Sequence, residues 1–360
     1  MVPPVPLVLL GLLAAAPPWP GAEARLRAHC LTWASEPANP WALAHGITLE
    51  GRGFQARDKR LAAEVIVGDF LQREGTGPTQ DLRFAPYAAD GTPVEPHPAL
   101  QVKTLLLAGY PLSRTFRAAW GPVTVGDLVK DLKHDFRTPD ALSPHGAWTL
   151  DALSRVLAPG GTFTSGAGDT VRFDAVMDEA LTTLEHAQAN LLAGLRAGQP
   201  EVPKRKQGIY AHPCGGLHYF QAVAGWARHP SVRKAWGTRL TTQVDVLFYR
   251  LDSESRQYQT ASASAPPEYQ LPLLVQQVKF YGHWLETLGR YREETGWKPD
   301  AKQARAVSRA RELLDGAVRR LDASGALQHM ESHKARQYQL YLDLIGDACH
   351  AAHGLAYWKR

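Results

Sequence analysis

The sequence predicts an all-α protein built from successive helical hairpins, with short β-hairpins as minor elements. Two observations support this prediction. Apolar residues recur with helical spacing along most of the chain, and proline- and glycine-rich loops interrupt them. A histidine beside a small residue also recurs at helices, at intervals that fit one antiparallel helical hairpin each. These recurrences are His45, His97, His145, the segment 212–218, His283 and the segment 349–354.

Further helices are expected between these positions, and a few strands. The helical patterns cover residues 56–74, 125–136, 173–195, 230–252, 271–291 and 300–322. Asp127 and Asp174 stand near two helix starts, where a carboxylate suits the helix dipole. Residues 83–87 and 162–172 favour strands, the second with a turn at Ser-Gly-Ala-Gly-Asp. Residues 255–272 hold three prolines and several serines, which predicts a mobile loop.

The first 24 residues predict a secretory signal peptide. Residues 5–16 are apolar but shorter than the roughly 20 residues that span a bilayer. Ala22-Glu23-Ala24 supplies the small-x-small pattern of a cleavage site. We therefore expect one α-helical domain over residues 25–360, located in the periplasm or outside the cell, with no stable membrane span after cleavage.

Composition excludes several function classes. The 360 residues include 40 Lys and Arg against 35 Asp and Glu, with a formal net charge of +5. The basic residues are mostly scattered or interleaved with acidic ones, so no nucleic-acid partner is expected. The sequence also lacks four common catalytic motifs. These are the serine-hydrolase elbow, the phosphate-binding Walker loop, the dinucleotide fingerprint and the His-Glu-x-x-His zinc motif.

The segment 212–218 is the densest group of chemically reactive side chains. His212, Cys214 and His218 flank Pro213 and a glycine pair, ahead of an apolar helical run. Proline and glycine predict a loop here, and glycine lets the backbone pass close to a bound group. Two imidazoles and a thiol are ligands that zinc accepts, so these three residues are candidate metal ligands. The alternative is a tight turn in front of a core helix.

Two other helices carry candidate residues. Cys349 and His353 are four positions apart, so both can face one cation, and they complete the candidate metal set. His350 lies near Asp347, and His283 lies three positions before Glu286. These four residues, with His218, are the candidate catalytic acids and bases. The structural alternative is that Cys349 is a small buried residue and that the histidines and carboxylates make ordinary helical contacts.

The three cysteines leave the disulfide pairing open. In an oxidising compartment Cys214 and Cys349 can pair and leave Cys30 as a thiol, or Cys30 can take either partner.

Successive hairpins with a His/Gly feature at one helix resemble the α/α-toroid architecture of terpenoid cyclases, several glycosidases and lanthionine cyclases. At the level of motifs, Cys214-Gly215-Gly216, Cys349-His350 and Ala352-His353-Gly354 are similar to those of the lanthionine cyclases. That resemblance implies a zinc ion held by Cys214, Cys349 and His350 in a central cavity. The order of the motifs differs, because Ala-His-Gly follows Cys-His here instead of preceding it.

Two functions remain open from the sequence. The first is an exported enzyme with a His/Cys-lined central pocket, dependent on zinc or on acid/base chemistry, that acts on a small molecule, peptide or glycan. The second is a non-catalytic exported binding or structural module with a Cys214–Cys349 disulfide. Bound zinc and protected thiols would support the first.

Overall fold

The computed structural model describes residues 19–75, 81–203, 208–211 and 214–359. Within them the chain forms fourteen α-helices and six short strands. The helices are α1 (Ala22–Trp33), α2 (Pro40–Glu50), α3 (Ala62–Phe70), α4 (Leu100–Leu107), α5 (Val125–His134), α6 (Thr138–Ala141), α7 (Ala147–Val156), α8 (Phe173–Arg196), α9 (Leu217–Trp226), α10 (Pro230–Ser264), α11 (Pro267–Thr295), α12 (Ala301–Ala323), α13 (Met330–Arg336) and α14 (Tyr338–Tyr357). The strands are β1 (Leu71–Glu74), β2 (Asp81–Phe84), β3 (Thr115–Ala118), β4 (Gly121–Thr124), β5 (Thr162–Thr164) and β6 (Thr170–Arg172).

The predicted mostly-α class is therefore confirmed. All strands of the described chain belong to three separate antiparallel pairs, β1 with β2, β3 with β4 and β5 with β6. The hairpin predicted over residues 162–172 is present, with Thr162 opposite Arg172 and Thr164 opposite Thr170. In the parts of the chain that the structure describes, no helix is both long and apolar enough to cross a membrane.

Helix starts follow local capping chemistry. The Thr124 hydroxyl accepts from the Asp127 backbone N–H, and the Asp127 carboxylate accepts from the Thr124 N–H, which makes a capping box at α5. Asp300 and Gln303 form a second box at α12. These reciprocal bonds satisfy backbone donors that have no partner inside the helix.

Several of the predicted boundaries are wrong. The helix expected over residues 56–74 is shorter, because residues after Phe70 extend and Leu71–Glu74 pair with Asp81–Phe84. That pairing also places the second strand slightly earlier than the predicted 83–87.

The loop expected over residues 255–272 is helical on both sides of a short link. α10 continues to Ser264 and α11 begins at Pro267. The Ser255 hydroxyl donates to the Leu251 carbonyl inside the helix, and a buried Arg250–Glu254 ion pair precedes it. Pro267 occupies the first turn of α11, where a missing N–H costs no helical hydrogen bond.

Six helices contact one another in a closed cycle around a shared interior. The cycle runs from α2 to α4, α7, α9, α11 and α14, and α14 contacts α2 again. The pair α11 and α14 packs most closely, because glycines face the partner backbone. A Cβ at Gly282 would lie 2.8 Å from the Ala351 Cα, and one at Gly354 would lie 2.6 Å from the Gly282 carbonyl oxygen.

Candidate metal centre and active-site cavity

A cavity of about 440 Å³ lies inside this cycle and receives residues from all six helices. Its wall includes six histidines, two tryptophans, two lysines and one cysteine. These residues are His45, His97, His145, His218, His283, His350, Trp41, Trp148, Lys103, Lys279 and Cys214. His145 lies in the turn in front of α7.

The elements of the fold bring four of these histidines together. His45 lies on α2, His218 is the second residue of α9, His283 lies on α11 and His350 on α14. Their ring centroids form a connected group, 5.0 Å for His45 to His350, 4.2 Å for His350 to His283 and 4.9 Å for His283 to His218. Gly215 and Gly216, with φ of 56° and 76°, turn the chain into α9 in the left-handed conformation that glycine accepts readily.

Hydrogen bonds at Nδ1 orient three of the four rings. His45 Nδ1 donates to the Trp41 carbonyl at 2.7 Å, and His350 Nδ1 donates to Glu286 Oε2 at 2.8 Å. His218 Nδ1 lies 3.0 Å from Gln221 Oε1. The side-chain amide nitrogen of Gln221 in turn donates to Glu286 and Thr287. Because these partners are acceptors, each Nδ1 carries the proton, and Nε2 keeps the lone pair that a metal or an acid needs.

Two groups of ligand atoms at the cavity are close enough to hold a cation. Cys214, His218 and His283 each offer one atom, and these three atoms lie within 4.8 Å of one another. Cys214 Sγ is 3.8 Å from His283 Nε2. A second group, His283, Glu286 and His350, meets the same criterion. His283 belongs to both groups, so the two are continuous.

Glu286 is the buried anion at the centre of the site. Its Oε1 accepts from His353 Nδ1 at 2.8 Å and its Oε2 accepts from His350 Nδ1. His283 Nδ1 lies 3.6 Å from Oε2, within ion-pair range. One carboxylate therefore orients two imidazoles of α14 by hydrogen bonds and lies at ion-pair distance from one imidazole of α11.

The pKa values of these groups follow from burial and neighbouring charges. Burial alone would raise the pKa of Glu286, but His350, His283 and His353 outweigh it and hold the pKa well below its usual value. Burial lowers the pKa of His218 to about 4, against the opposing effect of Cys214, and burial also lowers the pKa of His350.

His283 behaves in the opposite way. Burial alone would lower its pKa, but Cys214, Asp347 and Glu286 outweigh burial and raise the pKa well above the usual value. The site thus combines neutral imidazoles with one imidazole that its neighbours favour in the protonated form.

Asp347 lies on the α14 side of the site. Its Oδ1 is 3.8 Å from His283 Nε2, and its Oδ2 is 3.6 Å from Lys279 Nζ. Lys279 also pairs with Asp343 at 3.1 Å. The charge of Lys279 is therefore balanced by two carboxylates.

The structure thus brings all five predicted catalytic residues to one place. His218, His283, His350 and Asp347 line the cavity, and Glu286 supports the histidines from behind. Of the predicted metal ligands, Cys214 and His218 lie together, and His212 falls outside the described residues. His353 contacts Glu286 and is partly exposed.

The remaining predicted ligand, Cys349, has to be corrected. Cys349 forms a disulfide with Cys30, with a Cα–Cα distance of 5.1 Å, so its sulfur is not available to a metal. The Cys214–Cys349 disulfide of the alternative hypothesis is wrong for the same reason, and Cys214 remains a thiol. The ligand set implied by the lanthionine cyclase resemblance is likewise not formed.

The cause of both errors is tertiary. α1 packs against α14 and places Cys30 beside Cys349, although 319 positions separate them in sequence. Cys214 lies instead beside His283 at the start of α9.

Sequence reasoning missed three residues of the site. Lys103 lies on α4 within the apolar run Leu100–Leu107, Gln221 lies within the apolar helix α9, and Trp148 stacks on His97 with ring centroids 3.9 Å apart. The signal for the first two is a polar side chain at a position whose helical neighbours are apolar. Such a residue is either paired in the interior or faces a cavity.

Comparison of this chain with family models, with curated proteins and with solved structures finds no match.

Proposed function

We propose that the chain is an exported helical enzyme with a zinc centre, in which Cys214, His218 and His283 bind the metal and the His350–Glu286 pair transfers a proton. The observation that carries the proposal is the convergence of one thiol and two imidazoles within 4.8 Å on the wall of a cavity. The substrate class is a small molecule, peptide or glycan that fits this cavity.

The donor set suits zinc in number, type and spacing. Bonds of about 2.3 Å to sulfur and about 2.0 Å to nitrogen in a tetrahedron place the two atoms about 3.6 Å apart. The separation of Cys214 Sγ from His283 Nε2 is 3.8 Å, close to that value. Three protein ligands with the fourth position open is the pattern of catalytic zinc sites, and zinc there supplies a Lewis acid that lowers the pKa of bound water.

Supporting hydrogen bonds match those found around metal-binding histidines. Gln221 holds the Nδ1–H of His218, which leaves Nε2 for the metal. Glu286 Oε2 lies 3.6 Å from Nδ1 of His283, at ion-pair distance. The bond from His218 to Gln221 sets the tautomer that zinc requires, whereas His283, whose neighbours raise its pKa, would release a proton when the metal binds.

His350 is suited to act as the base. Its Nδ1–H is held by Glu286 at 2.8 Å, so Nε2 is the atom that takes a proton from water or substrate. The Glu286 carboxylate then stabilises the imidazolium that forms, as the carboxylate does in a catalytic triad. Hydrolysis of a polar bond is the reaction class that a metal site and a neighbouring base serve together.

A second candidate function follows from the same thiol. Cys214 Sγ lies 3.8 Å from His283 Nε2, and His283 Nδ1 faces Glu286. This order of thiol, imidazole and carboxylate is that of a cysteine nucleophile activated by a base, and it predicts acyl transfer without a metal.

The proposal also includes an α/α-toroid fold and export of the chain from the cytoplasm. The closed cycle of α2, α4, α7, α9, α11 and α14 around one cavity supports an α/α toroid. The Cys30–Cys349 disulfide supports an oxidising compartment, and the signal peptide of residues 1–24 would deliver the chain there.

Metal analysis of the purified native protein tests the proposal. We expect one zinc ion per chain, and we expect Cys214→Ser and His218→Ala to lose it while they keep the helical circular dichroism spectrum. His186→Ala, at an exposed position of α8, is the matched control and should keep the zinc. Retention of full zinc content by both site variants would refute the assignment.

Alkylation separates the two candidates. For a zinc-bound thiolate, iodoacetamide should modify Cys214 slowly until a chelator removes the metal. For a nucleophilic Cys214, modification should be fast with or without the chelator and should stop activity. Slow modification under both conditions and no bound metal would support a non-catalytic module instead.

A further inference from the structure

Lys103 is a buried cation whose charge faces the cavity. It lies on α4, lines the cavity, and only 9% of its side-chain surface is exposed. Within the described chain its ammonium makes no hydrogen bond, and its ion-pair contact is to Asp151 Oδ2 at 3.9 Å. Burying an ammonium group without hydrogen bonds is unfavourable, so such a group is expected to have a further partner in function.

The ion-pair network behind Lys103 does not neutralise it. Asp151 already accepts from Arg290, with 2.6 Å between Arg290 Nη1 and Asp151 Oδ2, and it also lies 3.8 Å from Arg155. Glu294 pairs with both arginines. Within this network three cations share two carboxylates, which leaves one positive charge in excess. Glu286 also attracts the Lys103 charge, but its oxygens are hydrogen-bonded to His350 and His353. Lys279, the other lysine of the wall, has two carboxylates of its own.

The excess charge lies close to the proposed centre. The Lys103 charge contributes to the lowered pKa values of His218 and His350, although burial is the larger cause at both. Its Nζ is also 5.9 Å from the centroid of the Trp148 ring. A ligand that touches Lys103 can therefore reach the centre and contact the aromatic residues of the wall.

We infer that Lys103 binds an anionic group of the substrate, and that the substrate of the proposed centre is a carboxylate attached to a ring. The reaction assigned to this substrate rests on the proposed function. The binding of the anion rests on Lys103, its ion-pair network and the cavity.

The size of the excess positive charge at Lys103 indicates which kind of anion binds there. One unbalanced positive charge matches a monoanion such as a carboxylate, whereas a phosphate monoester carries about −1.5 to −2 at neutral pH. The stacked rings of Trp148 and His97 both line the cavity, so a ring of the substrate can pack against this aromatic pair. Sugar acids and aromatic acids share this chemistry, and the experiment separates them.

Calorimetric titration of the zinc-loaded full chain with four probes tests the inference. The probes are glucuronate with its neutral counterpart glucose, and benzoate with its neutral counterpart benzamide. We expect the acid of at least one pair to bind at least tenfold more tightly than its neutral counterpart. Which pair shows the preference identifies the ring as a sugar or an aromatic.

Variants then locate the charge. Lys103→Met, which keeps the length of the side chain, should weaken binding of the preferred acid about 10- to 100-fold, the usual worth of a charge-assisted hydrogen bond. Lys103→Arg should restore most of the affinity. Lys234→Met, at an exposed position of α10, is the control and should bind as the wild type does.

Equal binding of acids and neutral counterparts, or unchanged acid binding by Lys103→Met, would overturn the inference. The first comparison uses wild-type protein alone, so it holds even if Lys103→Met does not fold. Zinc content measured on the same samples keeps the two proposals apart. A wild-type chain without zinc that still prefers the acid through Lys103 would refute the metal centre and keep the anion site.

Discussion

Glu286 accepts hydrogen bonds from His350 and His353 on one helix and from Gln221 on another, and it lies beside His283 on its own. A carboxylate in such a place is stable only because several donors surround it. The same rule applies to the buried histidines, which remain neutral where no anion compensates the loss of water. Single buried side chains therefore determine how the molecule responds to pH.

The burial of His29 predicts that the folded protein loses stability in acid. Burial, and then the charge of Arg25, lower the pKa of His29 to about 3, while in the unfolded chain it stays near 6.5. Between these values only the unfolded chain binds the proton, so the free energy of unfolding falls as the pH falls from 6.5 towards 3. At pH 4.5 this proton uptake lowers the free energy of unfolding by about 2–3 kcal/mol relative to its value above pH 6.5.

Urea unfolding of the wild type and of His29→Gln at pH 7.5 and at pH 4.5 measures this contribution. The variant should lose less stability than the wild type over this interval, whatever its stability at pH 7.5. His186→Gln, at an exposed position of α8, should lose as much as the wild type. Equal losses for wild type and His29→Gln would show that His29 does not carry the effect.

The helices α11 and α14 position most of the site. α11 carries His283 and Glu286, and α14 carries Asp347, His350 and His353. Their backbones approach closely because Gly282 and Gly354 have no side chain in the contact, and Gly282 faces Ala351. This approach brings the Glu286 carboxylate within 2.8 Å of His350 Nδ1 and of His353 Nδ1.

Gly282→Ala should therefore damage both stability and the site. The new Cβ would lie 2.6 Å from the Ala351 Cβ and 2.8 Å from its Cα, so the helices have to separate. We expect a loss of about 2–3 kcal/mol in the free energy of unfolding and a weaker zinc affinity, measured by denaturant unfolding and chelator competition.

Two other helical glycines serve as matched controls. A Cβ at Gly237 of α10 or at Gly316 of α12 would have no atom within 4 Å. Gly237→Ala and Gly316→Ala should stabilise the protein by about 0.5–1 kcal/mol, because alanine favours the helix. A Gly282→Ala protein as stable as these controls would contradict the close packing of α11 and α14.

For the whole molecule, the disulfide joins the first helix to the last. Cys30 lies on α1 and Cys349 on α14, and both are buried. α14 also contacts α2 and α11, so the cycle of helices around the cavity is held together through a helix that is covalently linked to α1. A cross-link that closes so long a loop restricts the unfolded chain strongly.

Removal of the disulfide by Cys30→Ala with Cys349→Ala should lower the free energy of unfolding by about 2–5 kcal/mol. Denaturant unfolding under non-reducing conditions measures the loss. Cys214→Ala keeps the disulfide and is the control for loss of a cysteine, and it should show a smaller loss in metal-free protein. A double variant that loses less than Cys214→Ala would argue against a stabilising role for the cross-link.

The sequence by itself determined the features that depend on neighbouring residues. Helical periodicity predicted the all-α class, the Asp at the start of residues 125–136 indicated a helix N-terminus, and the turn residues at 165–169 predicted the β5–β6 hairpin. The apolar faces of the helices around His218, His283 and His350 also indicated burial, because side chains three and four positions apart share one helix face.

Only the tertiary structure decided what depends on residues far apart in the chain. The pairing of Cys30 with Cys349, the role of Glu286 as a shared acceptor and the excess charge at Lys103 follow from which helices pack together. The end of α3 at residue 70 also depended on the pairing of Leu71–Glu74 with Asp81–Phe84. In α10, Arg250 is buried and donates to the Gly215 carbonyl 35 positions away, a contact that the sequence does not show. Local sequence sets the type of each element, but packing free energy, summed over distant partners, decides where the elements end and which side chains meet.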